Sequence, residues 1–158
     1  MDKRRLRTAL GRFATGVTIV STADGAGHWS GLTVSSFSSL SLEPPLVLWS
    51  LRLESPSLAA FEASPVFAVN VLGEEHMGLS RRFATAHEHR FGEGEWALGA
   101  HGAPVLNGAV AVFECETVTR QDAGDHRLYI GRVLAFAEHA HAPLLYRSGH
   151  YHRLGETL

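Results

Sequence analysis

The chain has 158 residues, with 14 basic and 16 acidic side chains and a formal net charge of −2. This length is typical of one domain, so we expect residues 1–158 to form a single domain around one core. Hydrophobic residues make up 45% and charged residues 19%, which excludes disordered and fibrous classes. No long basic stripe occurs, so nucleic acid is not an expected partner.

Cysteine usage and hydropathy indicate the compartment. Cys115 is the single cysteine, which excludes an intramolecular disulfide, a cysteine-rich zinc site and a C-x-x-C redox pair. No apolar segment follows the charged residues 1–7, and no stretch approaches the roughly 20 apolar residues of a membrane span. We therefore expect a cytoplasmic protein in a reducing compartment with no membrane partner.

The first predicted element is an amphipathic helix over residues 4–14, with Asp2 as its N-cap. A β-branched run predicts a strand over 17–22, which reverses through a glycine-rich turn into a second strand over 28–36. A double proline then prevents a helix, and the nearly all-apolar run 46–51 predicts a central strand covered on both faces.

The remaining elements alternate short helices with strands that follow one another as hairpins. In chain order they are a helix over 57–63, a strand over 66–71, a helix beginning near Glu74, a long connection over 85–104, strands over 109–120 and 126–139, and a closing strand over 144–146. Hairpins without regular strand–helix alternation favour an antiparallel barrel of six or seven strands, with two or three helices packed outside.

Several catalytic motifs are absent. Gly25, Gly27 and Gly31 are spaced G-x-G-x-x-x-G, one residue longer than the dinucleotide fingerprint, and they lie in a predicted hairpin. There is neither a P-loop nor a G-x-S-x-G nucleophile elbow. These absences exclude phosphoryl transfer, α/β-hydrolase chemistry and a Rossmann-type nicotinamide site.

Three histidine pairs have the spacing at which two rings on a strand can reach one ion. They are His87/His89, His139/His141 and His150/His152. A zinc site needs a third ligand, and no H-E-x-x-H motif or cysteine companion accompanies any pair. We expect surface or loop histidines and no metal site.

The segment 31–41 carries one threonine and five serines within nine positions. It ends a predicted strand, where hydroxyls and backbone N–H groups can converge on a planar polar ligand. Alternatively, these hydroxyls bond to their own backbone, which is the commoner arrangement for such a segment taken alone.

A second polar set follows the third predicted strand and comprises Ser50, Arg52, Ser55 and Ser57. One guanidinium, serine hydroxyls and the free N–H groups of a helix start together form a candidate phosphate cradle. The alternative is that Arg52 is an ordinary solvated side chain.

Two further residues have both a functional and an ordinary interpretation. Arg82, near the end of a predicted helix, either reaches a phosphate or complements the helix dipole. His126 follows Gly124 and Asp125 at a predicted hairpin tip, where it can face a cleft and titrate near neutrality. A single loop histidine is more often solvent-exposed than catalytic.

Six segments in a fixed order resemble the short-chain flavin reductase family, the FMN-binding split-barrel reductases that supply reduced flavin to two-component monooxygenases. The segments are GRFATGVTIV at 11–20, GLTVSSFSSLSLEPPLV at 31–47, FAVNVL at 67–72, RFA at 82–84, GDH at 124–126 and PLLYRSGHY at 143–151.

The resemblance implies a mainly β fold with flanking helices, built on a six-stranded antiparallel split β-barrel. It implies a homodimer with flavin near the subunit interface, and an NAD(P)H:flavin oxidoreductase using FMN or FAD as flavin and NADH or NADPH as hydride donor. A separate oxygenase component would receive the reduced flavin.

The resemblance also implies residue roles. The isoalloxazine would be lined by Thr33, Ser35, Ser36 and Ser39, and the ribityl phosphate would be bound by Ser50, Arg52, Ser55 and Ser57. The flavin would also lie beside Arg82, Phe83 and Ala84. The remaining residues of the cofactor-binding set would be Val34, Ser38 and Leu51. His126 and Tyr151 would border the nicotinamide, with His126 as the catalytic residue.

Flavin reduction by a nicotinamide is consistent with the absence of a nucleophile motif. Hydride transfer between stacked rings needs position and hydrogen bonds but no covalent protein intermediate, so no nucleophile is expected. Two alternatives remain open at this point. One is a flavin-binding or sensing module without nicotinamide turnover, and the other is a split-barrel oxidase of another small substrate, such as a pyridoxal-type phosphate.

Overall fold

A computed structural model describes residues 1–85 and 90–158. The helices are α1 (Lys3–Leu10), α2 (Leu58–Ala63) and α3 (Met77–Ala84), the last preceded by a 3₁₀ turn at Glu74–His76. The strands are β1 (Thr15–Gly16), β2 (Thr18–Ala23), β3 (Trp29–Val34), β4 (Ser38–Leu42), β5 (Pro45–Arg52), β6 (Val66–Val71), β7 (Trp96–Leu98), β8 (Pro104–Leu106), β9 (Ala111–Ala123), β10 (His126–Glu138), β11 (Leu144–Arg147) and β12 (His150–Arg153).

The main sheet has seven strands in the order β3-β2-β6-β9-β10-β5-β4, and every pairing within it is antiparallel. In a flat sheet, six inter-strand spacings would separate the two edge strands by about 29 Å. However, only residues 35–37 connect β3 to β4, and a link of that length reaches roughly 15 Å. The sheet must therefore curl until its edges approach, which produces an open barrel.

Two hydrophobic clusters lie on the two faces of this curled sheet. The inner cluster is centred on Trp49, which stacks on Tyr129 with ring centroids 4.7 Å apart and contacts Phe61 and Phe67 edge-on. The outer cluster joins β2 to α3, β8 and β11 through Val17, Ile19, Leu72, Leu79, Phe83, Trp96, Leu106, Ala109 and Leu144. The barrel is therefore packed inside and covered on one side, as the antiparallel barrel prediction requires.

The fold prediction is confirmed in class, but the main sheet has one strand more than the family-implied six. One edge of this sheet is β4, which pairs with β5 and begins within the hydroxyl-rich segment 31–41, where no separate strand was predicted. The prediction that 46–51 is covered on both faces is wrong. Val47, Trp49 and Leu51 are buried, while the alternating Leu46 and Leu48 are half-buried, because only one face of β5 meets the barrel interior.

Two other boundaries differ from the sequence prediction. Helix α1 ends at Leu10, with Gly11 as its C-cap, instead of at residue 14. Asp2 caps its start as predicted, by accepting a hydrogen bond from the Arg4 N–H at 2.9 Å. The long connection over 85–104 contains β7, which forms a small hairpin with β8. Neither feature has a strong local pattern, since a three-residue strand is too short to show periodicity.

None of the helices in the described ranges is long and apolar enough to cross a membrane.

Candidate functional site

Two adjoining clefts open at the end of β3, and both are also lined by the segment that follows β5. The first has a volume of about 500 Å³ and the second about 470 Å³. They share five lining residues, Leu32, Thr33, Ser35, Ser55 and Pro56. Because these residues belong to both walls, the clefts form one continuous groove, which we call the main groove.

The end of β3 forms the floor of the main groove for a topological reason. Strand β3 is an edge strand, so part of its backbone has no neighbouring strand to bond. Immediately beyond it, the Ser36 hydroxyl accepts the Ser50 N–H at 3.0 Å and donates to the Ser50 carbonyl at 3.1 Å. One serine side chain thus fixes the position of the β3 end against β5.

A wall of the first cleft is tied together by hydroxyl groups. The fully buried Ser80 on α3 bonds through its hydroxyl to the Tyr151 hydroxyl of β12 at 2.8 Å. The Thr33 hydroxyl donates to the Ser80 carbonyl at 2.6 Å, and the Arg81 guanidinium lies 5.6 Å from the centroid of the Tyr151 ring. These contacts fix an aromatic ring at the side of the groove.

The second cleft has a histidine and an arginine at its margin. His126 and Arg52 are directly opposite on the paired strands β10 and β5. The ring Nδ1 of His126 lies 2.7 Å from the Asp125 carboxylate, an arrangement that leaves Nε2 available to a ligand. The hydrogen bond from His126 and its charge lower the pKa of Asp125. Arg52 is 65% exposed and lies 3.4 Å from Glu54.

The segment between β5 and α2 supplies the polar edge of the first cleft. The Ser55 hydroxyl accepts the Ser57 N–H at 3.2 Å, which turns the chain so that both serines line the groove. Arg90 lines the same cleft and donates to the Gly31 carbonyl at 2.7 Å. The edge therefore combines hydroxyls with a fixed guanidinium.

The structure brings together most of the residues selected from the sequence. Thirteen of the sixteen line the main groove, namely Thr33, Val34, Ser35, Ser36, Ser50, Leu51, Arg52, Ser55, Ser57, Phe83, Ala84, His126 and Tyr151.

Three selected residues do not line it. Ser38 and Ser39 are exposed on β4, where the Ser38 hydroxyl donates to the Ser39 carbonyl. The Arg82 guanidinium lies 2.7 Å from the Glu95 carboxylate and also donates to the Arg90 carbonyl. The β4 serines point elsewhere because β4 pairs along the opposite sheet edge, and Arg82 is held by its ion pair.

Sequence reasoning missed several groove residues. Ser80, Thr85, Arg90 and Tyr146 line the first cleft, and Glu54 lines the second. Ser80 sits within a helix and Arg90 within a long connection, so no local pattern separated them from ordinary polar residues. Tyr146, which contacts the Tyr151 ring edge-on at 5.3 Å, lies in the family-like segment 143–151, but the resemblance implies no role for it.

Both interpretations of the hydroxyl-rich segment apply, to different side chains. Thr33, Ser36 and Ser38 bond to protein carbonyls, as the ordinary interpretation states. Ser35 lies on both clefts and is exposed, so its hydroxyl can meet a ligand.

No group of three or more metal-ligating side chains forms among residues 1–85 and 90–158. The pair His139/His141 has ring centroids 5.9 Å apart, His150 is exposed, and the pair His87/His89 lies outside the described residues.

The donor set of the main groove fits a flavin nucleotide. Ligand clefts usually have volumes of roughly 300–1,000 Å³ with apolar walls and few polar groups. Here Leu32, Phe83 and Tyr151 supply apolar or aromatic surface, while serine hydroxyls and Arg90 supply donors for an anion. A planar ring with a phosphate-bearing side chain is the ligand class that matches both the apolar walls and the anion-binding donors.

Comparison with known proteins gives the same assignment. Residues 10–155 match the family model described as flavin reductase like domain. A probable flavin reductase of Rhizobium meliloti (strain 1021) is 43% identical over 95% of this chain and 48% of its own length. The chain thus spans about half the length of that relative.

Two relatives are matched over most of their own lengths. The reductase subunit HsaB of a flavin-dependent monooxygenase from Rhodococcus jostii (strain RHA1) is 42% identical over 96% of this chain and 77% of its length. The NADH:FAD oxidoreductase SgcE6 of Streptomyces globisporus C-1027, solved in complex with NAD and FAD fragments, is 35% identical. It superimposes with a TM-score of 0.92 over 98% of this chain and 93% of its own.

Proposed function

Because the chain belongs to the flavin reductase-like domain family, we propose that it is an NAD(P)H:flavin oxidoreductase that reduces FMN or FAD. The observation that carries this proposal is the main groove, which has His126 on one cleft and serine hydroxyls with Arg90 on the other. The names of HsaB and SgcE6 support the same reaction class.

The residues of the groove bind and orient the two ring systems. Ser35 and the open edge of β3 face the flavin ring, while Ser55 and Ser57 face its phosphate. When bound, the flavin supplies the capacity to accept a hydride from a reduced nicotinamide. The protein contributes alignment, which is a large part of the rate enhancement in a reaction without a covalent protein intermediate.

His126 is the residue that we assign to the nicotinamide. Asp125 accepts a hydrogen bond from Nδ1, so the imidazole presents Nε2 toward the cleft. Tyr151, held by Ser80, borders the same ring from the other cleft. These two side chains limit where a nicotinamide can stack.

We also propose a homodimer, supported by the outward face of β5 and β10. Leu48 lies directly opposite Ile130, and Leu46 and Leu128 lie on neighbouring pairs of the same face. All four are half-buried rather than buried, which leaves an apolar row for a second copy to cover. Sedimentation at micromolar protein concentration should give a mass twice that of the monomer. The variant Leu48→Glu should sediment with the mass of one monomer.

The recipient of reduced flavin is proposed to be a separate oxygenase component, as the name of HsaB indicates for that relative. Coupled turnover with a candidate oxygenase, with and without catalase, tests this step. Substrate oxygenation that requires this reductase would support the proposal. As a control, chemically reduced flavin is supplied to the oxygenase directly, and no oxygenation in that control would indicate that the oxygenase chosen is unsuitable.

The central test is NADH and NADPH oxidation by the pure protein, with and without added FMN or FAD. We expect oxidation that requires flavin. His126→Ala should raise the KM for the nicotinamide more than it raises the flavin Kd, while His101→Ala, an exposed histidine outside the groove, should change neither. Flavin binding without any nicotinamide oxidation would instead support a sensing module, and oxygen consumption with a non-nicotinamide substrate would support an oxidase.

A further inference from the structure

The hairpin that carries His126 is fastened to its surroundings on two sides. On one side, the Asp125 carbonyl at the hairpin tip accepts a hydrogen bond from the Leu53 N–H at 3.0 Å, just beyond the end of β5. On the other side, Arg127 follows His126 directly at the start of β10, and its side chain contacts two different elements. The Arg127 contacts have no place in the binding roles assigned so far.

Arg127 and His126 point to opposite faces of β10, because successive side chains of a strand alternate. Tyr129, two residues beyond Arg127, is fully buried in the inner cluster, so Arg127 lies on the barrel-interior face. His126 instead lines the second cleft, and Arg127 lines neither cleft of the main groove. A contact that holds Arg127 therefore fixes the backbone from which His126 projects, without touching a ligand.

The Arg127 guanidinium joins this hairpin to α2. Arg127 and Asp122 are directly opposite on β10 and β9, and Arg127 donates from Nε at 2.6 Å and from Nη2 at 3.1 Å to the two oxygens of the Asp122 carboxylate. Its Nη1 lies 3.1 Å from the Glu62 carboxylate on α2. All three guanidinium nitrogens are used, and a forked pair of this kind fixes direction as well as distance. We call Glu62, Asp122 and Arg127 the α2 clamp.

The helix side of the clamp is itself fixed. The Glu62 carboxylate accepts a hydrogen bond from the Tyr129 hydroxyl at 2.5 Å, and Arg120 Nε lies 3.7 Å from the same carboxylate. Arg120 also donates to the carbonyls of Phe61 and Ser64 at the end of α2, at 3.4 and 3.1 Å. Helix α2 and the hairpin are thus held as one unit.

We propose that Arg127 is a positioning residue that sets the place of His126 relative to the serines preceding α2. Ser55 and Ser57 lie between β5 and α2, and the α2 clamp joins that helix to the hairpin. The parts of the main groove assigned to the flavin phosphate and to the nicotinamide are thereby held at one separation, on which ring alignment depends. This inference rests on the proposed function, from which it takes the roles of His126, Ser55 and Ser57.

The test compares NADH oxidation by the wild-type protein and its variants, with the flavin that the wild-type protein reduces. Arg127→Gln should raise the KM for NADH about tenfold, while kcat and the flavin Kd stay within about twofold. Glu62→Gln removes the same ion pair from α2, so it should raise the same KM, and it serves as the test if Arg127→Gln does not fold.

The matched control is Arg132→Gln. Arg132 forms a cross-strand ion pair with Glu116 between the same two strands, and it lines neither cleft of the main groove. Loss of this pair should leave the KM for NADH unchanged. Urea unfolding of each variant shows that it is folded under the assay conditions.

A double variant distinguishes positioning from general damage. Because Arg127 acts through His126, the double variant His126→Ala/Arg127→Gln should have the same KM for NADH as His126→Ala alone. Two side chains that only stabilise the fold would not show this dependence.

Three results would overturn the proposal. They are an unchanged KM in the folded Arg127→Gln or Glu62→Gln variant, an equal rise in KM in Arg132→Gln, and effects of His126→Ala and Arg127→Gln that multiply in the double variant. Absence of flavin-dependent NADH and NADPH oxidation by the wild-type protein would instead refute the proposed function.

Discussion

The hydrogen bond between Ser80 and Tyr151 offers a quantitative test of how the groove wall is held. Ser80→Ala leaves the Tyr151 hydroxyl beside the groove, where water can replace the lost partner, so we expect a loss of about 1 kcal/mol in the free energy of unfolding. Tyr151→Phe leaves the hydroxyl of Ser80, which is 0% exposed, without its side-chain partner. That loss should be larger, about 1–3 kcal/mol.

The double variant separates this interaction from general damage. With both hydroxyls removed, no buried donor or acceptor is left unsatisfied at this contact, so the double variant should be no less stable than Tyr151→Phe. The assay is urea unfolding followed by tryptophan fluorescence, with the KM for the nicotinamide of each variant measured in parallel. Both single variants should raise that KM, because Tyr151 is the wall of the groove that we assign to the nicotinamide. Losses that add in the double variant would show that the two side chains do not stabilise each other.

Three further predictions concern the barrel. Gly131→Ala should cost about 1–3 kcal/mol of stability, because its Cβ would lie 2.8 Å from Cε1 of the Phe67 ring and still nearer to Cζ. By contrast, Gly78→Ala on α3, with open space around it, should stabilise the fold by about 0.5–1 kcal/mol. Burial, aided by the neighbouring Glu114 charge, raises the pKa of Cys115 to about 12, so the native thiol should resist disulfide reagents at pH 8 until the chain unfolds. Burial alone would raise the pKa of Glu62, but the hydrogen bonds from Tyr129 and Arg127 lower this pKa below the ordinary 4.5. Glu62→Gln should therefore destabilise the protein at neutral pH, and the destabilisation should shrink as the pH falls below 4.5.

These predictions are checked by denaturation and labelling. Equal unfolding midpoints for Gly131→Ala and the wild-type protein would show that Phe67 can move aside. Stoichiometric labelling of Cys115 in the folded protein within seconds would show that the thiol is accessible. The folded protein binds the Glu62 proton less tightly than the unfolded chain does, because the pKa of Glu62 is lower in the folded state. The ionised carboxylate therefore stabilises the fold at pH values above the unfolded-state pKa, and this stabilisation is lost as the pH falls through the folded-state pKa. A stability difference that stays constant between pH 7 and pH 3 would contradict this account.

The sequence by itself determined the order and type of most elements. Runs of β-branched and apolar residues bounded by turn-forming residues placed β2, β6, β9 and β10 close to their observed bounds, because such runs and turn signals are local. The Asp2 cap and the hairpin turn at Gly124, whose φ is 61°, also follow from local chemistry. The polar segments of the groove were visible for the same reason, since their hydroxyls are close together in the sequence.

Only the tertiary structure decided which of those polar residues meet. Ser35 and Ser38 are three positions apart, yet Ser35 lines the groove and Ser38 does not, because the chain crosses from one sheet edge to the other between them. Arg82 was selected and Arg90 was missed, since an ion pair with Glu95 and a contact with Gly31 depend on distances that no spacing in the sequence encodes. Curling of the sheet joins segments far apart in the chain, and that long-range closure is what creates the groove.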